Sequence, residues 1–97
     1  MPLFVSLSNW TDQGVRNAKG SVERAKNFIA MAEKAGCKVH HFVYTMGPYD
    51  MVTIFEAPNG QTASAMVMAV ATLGNVRTVS MPAYSMDEMA GVFSKLP

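Results

Sequence analysis

The sequence predicts an α+β domain of ferredoxin-like type, in which the order β-α-β-β-α-β is followed by a short C-terminal helix. Two observations support this fold class: two segments have apolar residues at helical spacing, and four segments have the alternation or composition of strands. In this order the strands form a four-stranded antiparallel sheet with both long helices on one face. The 97 residues suffice for one domain, which we take as residues 1–97.

The first half of the chain supplies one strand and the first long helix. Residues 3–8 alternate between apolar and polar side chains, as in a half-buried strand. Thr11 is suited to capping a single helical turn across residues 12–17. The long helix begins at Ser21 and ends at Gly36, since glycine tolerates the left-handed backbone that stops a helix. Its apolar stripe consists of Val22, Ala25, Phe28, Ile29, Ala32 and Ala35.

The middle of the chain supplies a hairpin and the second long helix. Residues 39–46 and 49–56 have the composition of strands and flank a Gly-Pro turn. The helix starts at Thr62 or Ser64 and ends near Leu73. It carries no charged residue on any side, which predicts burial on more than one side.

The end of the chain supplies the fourth strand and a tail helix. Residues 76–84 alternate as a strand, and Ser85 forms a capping box with Glu88 that starts the helix. The hairpin strands carry bulky apolar residues on both faces, although the helices cover only one face of such a sheet. A sheet from a second copy can cover the other face. The sequence therefore predicts that a second sheet packs on this face, with the protein itself as partner in a homodimer or larger assembly.

Composition and charge exclude several classes of function. Charged residues make up 15% of the chain and the formal net charge is +1, whereas about 25% of an average domain is charged. Acidic residues lie among the basic ones between Arg16 and Lys38, so we expect neither nucleic acid nor a membrane as partner. The sequence shows no secretory signal or membrane span, and Cys37 is the single cysteine. We therefore expect a cytoplasmic protein with a structural cysteine.

Cofactor and metal chemistry is not expected either. No glycine-rich phosphate loop, Ser-His-Asp order or HExxH helix occurs in the sequence. A single cysteine offers no metal-binding spacing. The nine methionines form no repeated Met-x-x-Met array and suit core or interface filling better than a copper site. We predict no cofactor and no metal.

Three motifs resemble those of the GYD domain family. They are Asn9-Trp10-Thr11-Asp12-Gln13-Gly14, Gly47-Pro48-Tyr49-Asp50 and Leu73-Gly74-Asn75-Val76-Arg77-Thr78. They occur in the family's order, and the resemblance spans residues 3–84. The family is grouped with dimeric α/β-barrel proteins and has no established biochemical activity. The resemblance thus implies the barrel fold and leaves the function open.

The Gly-Pro-Tyr-Asp turn is the first candidate binding site. The Tyr49 hydroxyl beside the Asp50 carboxylate, at the mouth of a sheet, can bind or deprotonate a small polar molecule. The same residues also suit a purely structural turn, an interpretation to which we give more weight. Gly47 permits a positive φ, Pro48 fixes φ, and Asp50 can accept hydrogen bonds from the turn amides.

The other candidate ligand contacts are polar or aromatic residues on or beside the strands: His40, His41, Trp10 and Arg77. His40 and His41 are neighbours on one strand, which predicts side chains on opposite faces and no shared metal. Trp10 can rim a pocket or anchor its loop on the core. Arg77 can pair with Asp50 or hold an anionic ligand, and the sequence supports both.

These observations favour a non-enzymatic, self-associating domain that binds a small molecule between subunits. One alternative is a cofactor-independent oxygenase or isomerase, of the kind known among small dimeric α/β-barrel proteins. In that enzyme His40 or His41 would handle protons with Tyr49 and Asp50, so one histidine and Tyr49 must line the same cavity. The other alternative is a purely structural assembly subunit, whose interior is filled by side chains.

Overall fold

The computed structural model describes residues 1–97 and confirms the predicted fold class. The strands are β1 (Leu3–Trp10), β2 (Lys38–Tyr44), β3 (Met51–Glu56) and β4 (Val76–Ala83). They form one antiparallel sheet in the order β2-β3-β1-β4. The helices are α1 (Asp12–Arg16), α2 (Ser21–Lys34), α3 (Gly60–Ala71) and α4 (Met86–Phe93), with a 3₁₀ turn at Ala18–Gly20.

Local capping explains where the longer helices begin and end. Gly36 follows α2 with φ of +89°, as predicted for its stop. Helix α3 begins earlier than predicted because the Asn59 side chain accepts a hydrogen bond from the Thr62 amide at 2.8 Å. The predicted capping box of α4 is present between Ser85 and Glu88. The displaced start of α3 therefore follows from a cap that the sequence analysis missed.

The connection between β2 and β3 is longer than a tight hairpin. The predicted strands extended to residues 46 and 49, whereas β2 ends at Tyr44 and β3 begins at Met51. The Thr45 amide donates to the Asp50 carbonyl at 2.8 Å and closes the loop. Gly47 lies at its tip with φ of +151°, a conformation that favours glycine.

A β-bulge in β2 changes the direction of one histidine. The register places His41 opposite Ile54 and leaves His40 as the extra residue of the bulge. The His40 imidazole bonds to the Glu56 carboxylate at 2.9 Å, and Glu56 shares a face of the sheet with Ile54. Both histidines therefore lie on the same face. The prediction that they occupy opposite faces is wrong, because the bulge shifts the alternation of the strand by one residue.

The hydrophobic core lies between the helices and one face of the sheet, which we name the covered face. Phe55 is 1% exposed, and its ring stacks on Phe4 with 5.6 Å between centroids. The buried residues around it are small: Ala32, Cys37, Ala57 and Ala63. Such small side chains let the helices approach the sheet closely at this end.

The opposite face of the sheet, which we name the open face, has no helix on it. It is mainly aliphatic, with Val5, Leu7, Val43, Val52, Ile54, Val79 and Met81 among its side chains. Val79 and Met81 are 54% and 42% exposed. A second copy packed on this face, as in the predicted dimeric barrel, stays a prediction.

Two helices also present exposed apolar residues. Met68 on the outer side of α3 is exposed, so the single chain does not bury this helix on more than one side as predicted. Helix α4 makes only slight contact with the rest of the protein, and Met86 and Phe93 are exposed. These surfaces leave apolar area available to a partner.

Candidate functional site

A cavity of about 290 Å³ lies between the covered face and helices α2 and α3. Its walls are mostly apolar and include Trp10, Phe28, Met31, Phe42, Val70 and Leu73. Such a lining, with a few polar groups, is typical of small-molecule sites. The cavity therefore lies inside one subunit, beneath its helices.

Four of the eight sheet residues that line the cavity floor carry a hydroxyl group: Ser6, Ser8, Thr53 and Thr78. Ser6 and Ser80 bond through their hydroxyls at 2.6 Å, and Ser8 and Thr78 do so at 2.9 Å. Each pair lies directly opposite in the register of β1 and β4. Because these hydroxyls bond to one another, the floor can face an apolar molecule without losing hydrogen bonds.

Two cavity residues carry buried N–H groups without a hydrogen-bond partner. They are the indole Nε1 of Trp10 and the Nη2 of Arg24. The other terminal nitrogen of Arg24, Nη1, donates to the Asn17 carbonyl at 2.8 Å and fixes the side chain. Buried donors are nearly always satisfied in folded proteins, so two unpartnered N–H groups on residues of one cavity are an unusual feature.

The Gly-Pro-Tyr-Asp turn holds Trp10 in place at the end of β1. The Asp50 Oδ2 accepts a hydrogen bond from the Trp10 amide at 2.9 Å, and the Asp50 amide donates to the Ser8 carbonyl at 2.9 Å. With its amide nitrogen turned towards the loop, Asn9 donates to the Pro48 carbonyl at 3.0 Å. The turn thus positions one wall of the cavity.

The first and third motifs interlock beside the same wall. The Thr11 hydroxyl donates to the Gly74 carbonyl at 2.6 Å, and the Gln13 side chain donates to the Asn75 side chain at 3.0 Å. Gly14 is buried so close to the Asn75 carbonyl that no Cβ fits there. The three motifs therefore form one frame at this end of the sheet, and Trp10 projects from it into the cavity lining.

Comparison with known proteins identifies the family to which this chain belongs. The GYD domain family matches residues 4–93. The chain belongs to the GYD domain family. A relative from the bacterium Thermus thermophilus is 30% identical over 90 residues, which cover 92% of this chain and 95% of that protein. It is named glutamine synthetase and cystathionine beta-lyase binding protein.

The residues singled out in the sequence of this GYD domain fall into three groups. Trp10 lines the cavity. Asp50 and Tyr49 belong to the frame, where the Tyr49 carbonyl accepts a hydrogen bond from the Thr45 hydroxyl at 2.6 Å. The residues on the open face are His40, His41 and Arg77. Their role as ligand contacts between subunits stays a prediction, and Arg77 forms no ion pair with Asp50.

Arg24 is the cavity residue that the sequence analysis missed. It lies on α2 among other basic residues, so the pattern indicated a solvated helix face. The available signal was its position, since Arg24 is one residue from Ala25 of the apolar stripe. An arginine at the border of a stripe can extend its apolar stem along the core and hold its guanidinium at the edge of the core.

Electrostatic effects on two other groups concern stability. The His40 imidazole, which hydrogen-bonds the Glu56 carboxylate, lowers the pKa of Glu56 below its usual 4.5. Burial raises the pKa of the Cys37 thiol, in keeping with a structural cysteine.

No three His, Cys, Asp or Glu side chains of this GYD domain lie together as metal ligands would. None of its helices has the length and hydropathy to cross a membrane.

Proposed function

We propose that this GYD protein is a non-catalytic binding protein that holds a small molecule within each subunit and associates with itself through the open face. The observation that carries the proposal is the cavity under α2 and α3, with a mainly apolar lining and two unpartnered N–H donors. Its volume of about 290 Å³ is near the lower end of small-molecule sites.

The ligand site that we propose differs from the one in the sequence-based hypothesis, because the cavity lies within one subunit. That hypothesis put the small molecule between two subunits, and three of its six proposed contacts, His40, His41 and Arg77, lie on the open face. The frame formed by the three motifs instead supports a ligand site on the covered face, because the frame positions Trp10, which lines the cavity there. Self-association and ligand binding are then separate properties of opposite faces.

The two alternative functions have less support. The enzyme hypothesis needed a histidine and Tyr49 in one cavity, and neither His40, His41 nor Tyr49 lines the cavity of the subunit. A purely structural subunit was expected to have an interior filled by side chains. The space beneath α2 and α3 favours a ligand over that expectation.

A substitution that fills the cavity tests the proposal. Ala69 lines the cavity, whereas Ala65 is exposed on the same helix. Small molecules are screened for a rise in melting temperature, since a ligand at 100 times its Kd adds about 2.7 kcal/mol of stability. We expect the Ala69→Phe variant to lose the response and Ala65→Phe to keep it. A ligand that stabilises both variants equally binds elsewhere and contradicts the proposal.

Binding of another protein is a second candidate function, favoured by the name of the Thermus relative. That protein is named for binding glutamine synthetase and cystathionine beta-lyase. In this chain the exposed, uncharged outer side of α3, which includes Ala65 and Met68, is a surface suited to a protein partner.

Titration calorimetry with each of these two enzymes, purified from the same organism as this protein, tests that candidate. We expect saturable binding that weakens at least tenfold in Met68→Lys, because the partner would have to bury the new charge. Ala30→Lys adds the same charge at an exposed position on α2, away from this surface, and serves as control. No heat of binding with either enzyme removes this candidate.

A further inference from the structure

The half-buried Arg24 lines the cavity and has no counterion. Arg24 is the only charged residue in the lining, and no carboxylate oxygen lies within 4.0 Å of it. Its Nη1 is held by the Asn17 carbonyl, while its Nη2 is buried and has no partner. A buried charged donor is unfavourable until an acceptor reaches it, and a carboxylate forms the strongest such hydrogen bond.

The surroundings of Arg24 reinforce its charge. Arg24 and Asn75 also line a shallower depression on the surface, together with Arg16 and Lys19. No aspartate or glutamate lines either the cavity or the depression. Three basic side chains thus border the depression, and their combined potential attracts an anion to the surface beside Arg24.

The other residues of the cavity lining favour an anion that carries an apolar group. Eleven of its 19 lining residues are hydrophobic, and the aromatic rings of Phe28 and Phe42 are among them. The volume of about 290 Å³ is roughly twice the ~150 Å³ of an engineered cavity that binds benzene. One ring with a short side chain therefore fits. The indole N–H of Trp10 is a second buried donor in the lining.

From these observations we propose that the ligand of the cavity is a small carboxylate with an apolar or aromatic body. The carboxylate accepts hydrogen bonds from the guanidinium of Arg24, and the body packs on the apolar wall of α2, α3 and the covered face. This inference rests on the proposed function, since it requires the cavity to be a ligand site. It adds the chemical class of the ligand and the residue that selects it.

The test compares an acid with its uncharged isostere. Trp10 is the single tryptophan and lines the cavity, so its fluorescence reports binding, with titration calorimetry as a second readout. The probes are 3-phenylpropionate and 3-phenylpropionamide. We expect the carboxylate to bind the unmodified protein at least tenfold more tightly than the amide. In Arg24→Gln the carboxylate should lose at least tenfold in affinity, while the affinity of the amide should stay unchanged.

Lys26→Gln is the matched control. It removes the same charge from the same helix, at an exposed position that does not line the cavity. We expect it to keep the preference for the carboxylate. Arg24→Lys, which keeps the charge but not the forked geometry, should retain part of the preference. Circular dichroism of each variant establishes that α2 is intact.

The outcomes separate this inference from the proposed function. Equal affinities for acid and amide in the unmodified protein would overturn the carboxylate assignment and leave the cavity as a ligand site. A preference lost equally in Lys26→Gln and Arg24→Gln would overturn the role of Arg24. If both the acid and the amide bind, and both still bind to the Ala69→Phe variant in which the cavity is filled, the proposed function is overturned as well. No binding of either probe overturns the assignment of this ligand class.

Discussion

The two faces of the sheet differ in where their hydroxyl and aliphatic side chains lie. The covered face, which lies beneath two helices, has Ser6, Ser8 and Thr53 buried at its centre. The open face, which has no cover in the single chain, has valine, leucine, isoleucine and methionine. A sheet that packs helices on one face normally places its aliphatic residues under them.

This difference indicates a separate role for each face. Hydroxyl pairs and a cavity under the helices are poor means of stabilising a core, but they leave space that a ligand can occupy. Aliphatic residues on the open face have no such use in the single chain. They are suited to burial against a second copy. The core that stabilises the subunit is then confined to the end of the covered face around Phe55.

The largest expected effect is on the free energy of unfolding, which should depend far more on that core than on the open face. Phe55→Ala should lower the free energy of unfolding by about 4 kcal/mol, because it removes a buried ring and leaves a cavity. Val79→Ala on the open face should lower it by less than about 0.5 kcal/mol when measured on the monomer. Urea denaturation at low protein concentration measures both. Similar losses in the two variants would contradict the assignment of the core to one face.

The frame that holds the covered face is the second point to test. Gly14→Ala should destabilise the protein by about 3 kcal/mol, since a Cβ would meet the Asn75 carbonyl and the backbone must move. Gly91→Ala in α4 is the control, because its Cβ meets nothing within 4 Å. We expect the control to stabilise the protein by at most about 1 kcal/mol. Urea denaturation measures the free energy of unfolding of both variants, and equal changes in the two would contradict a structural role of the frame.

A charge on the open face tests self-association. In Val79→Glu a carboxylate must be buried when two copies meet, which should raise the dissociation constant by about 100-fold or more. The single subunit should stay folded because Val79 is exposed in it. Sedimentation velocity measures the change, and Gln61→Glu adds the same charge on α3 as control. If Val79→Glu associates like the unmodified protein, copies do not meet through this face.

The hydroxyl pairs of the covered face permit a finer test. Ser8→Val leaves the Thr78 hydroxyl without its 2.9 Å partner and should destabilise the protein by about 1–2 kcal/mol. The double variant Ser8→Val with Thr78→Val removes both hydroxyls and should recover most of this loss. Thermal unfolding of the single and double variants gives the coupling between the two residues. Additive losses would indicate that the pair is not a unit.

The smallest expected effect concerns acid stability at the bulge. Because the pKa of Glu56 is lower in the folded protein, the contribution of its ionised form is present above the usual 4.5 and is lost as the pH falls through the lowered value. His40→Gln removes the cause. Urea denaturation from neutral to acid pH should show a steeper loss of stability in the unmodified protein than in this variant. Parallel curves would mean that the pair contributes nothing at this exposed position.

Sequence reasoning identified the elements and the motifs but not the bulge or the contents of the cavity. Periodicity and caps depend on near neighbours, so the helix stop at Gly36 and the capping box at Ser85 were predictable. The bulge at His40 depends on the pairing of β2 with β3, which residue alternation in one strand does not contain.

The candidate site was harder to predict because its residues come from distant segments. Trp10 was identified from its motif, yet the burial of the Arg24 Nη2 atom depends on how α2 lies over the sheet. Tyr49 and Asp50 were weighed between a binding turn and a structural one, and their hydrogen bonds support the structural interpretation. The comparison of the faces therefore needed the tertiary structure.

Helix α4 gives the single subunit an unusual outline. A compact chain of this length has a radius of gyration of about 12.5 Å, whereas this subunit has 14.5 Å and a longest dimension of 50 Å. The excess reflects a terminal helix that reaches outward and makes only slight contact with the body. Small-angle X-ray scattering can therefore follow the position of this helix without any label. A scattering profile that becomes more compact per subunit on assembly would place α4 against a neighbouring copy.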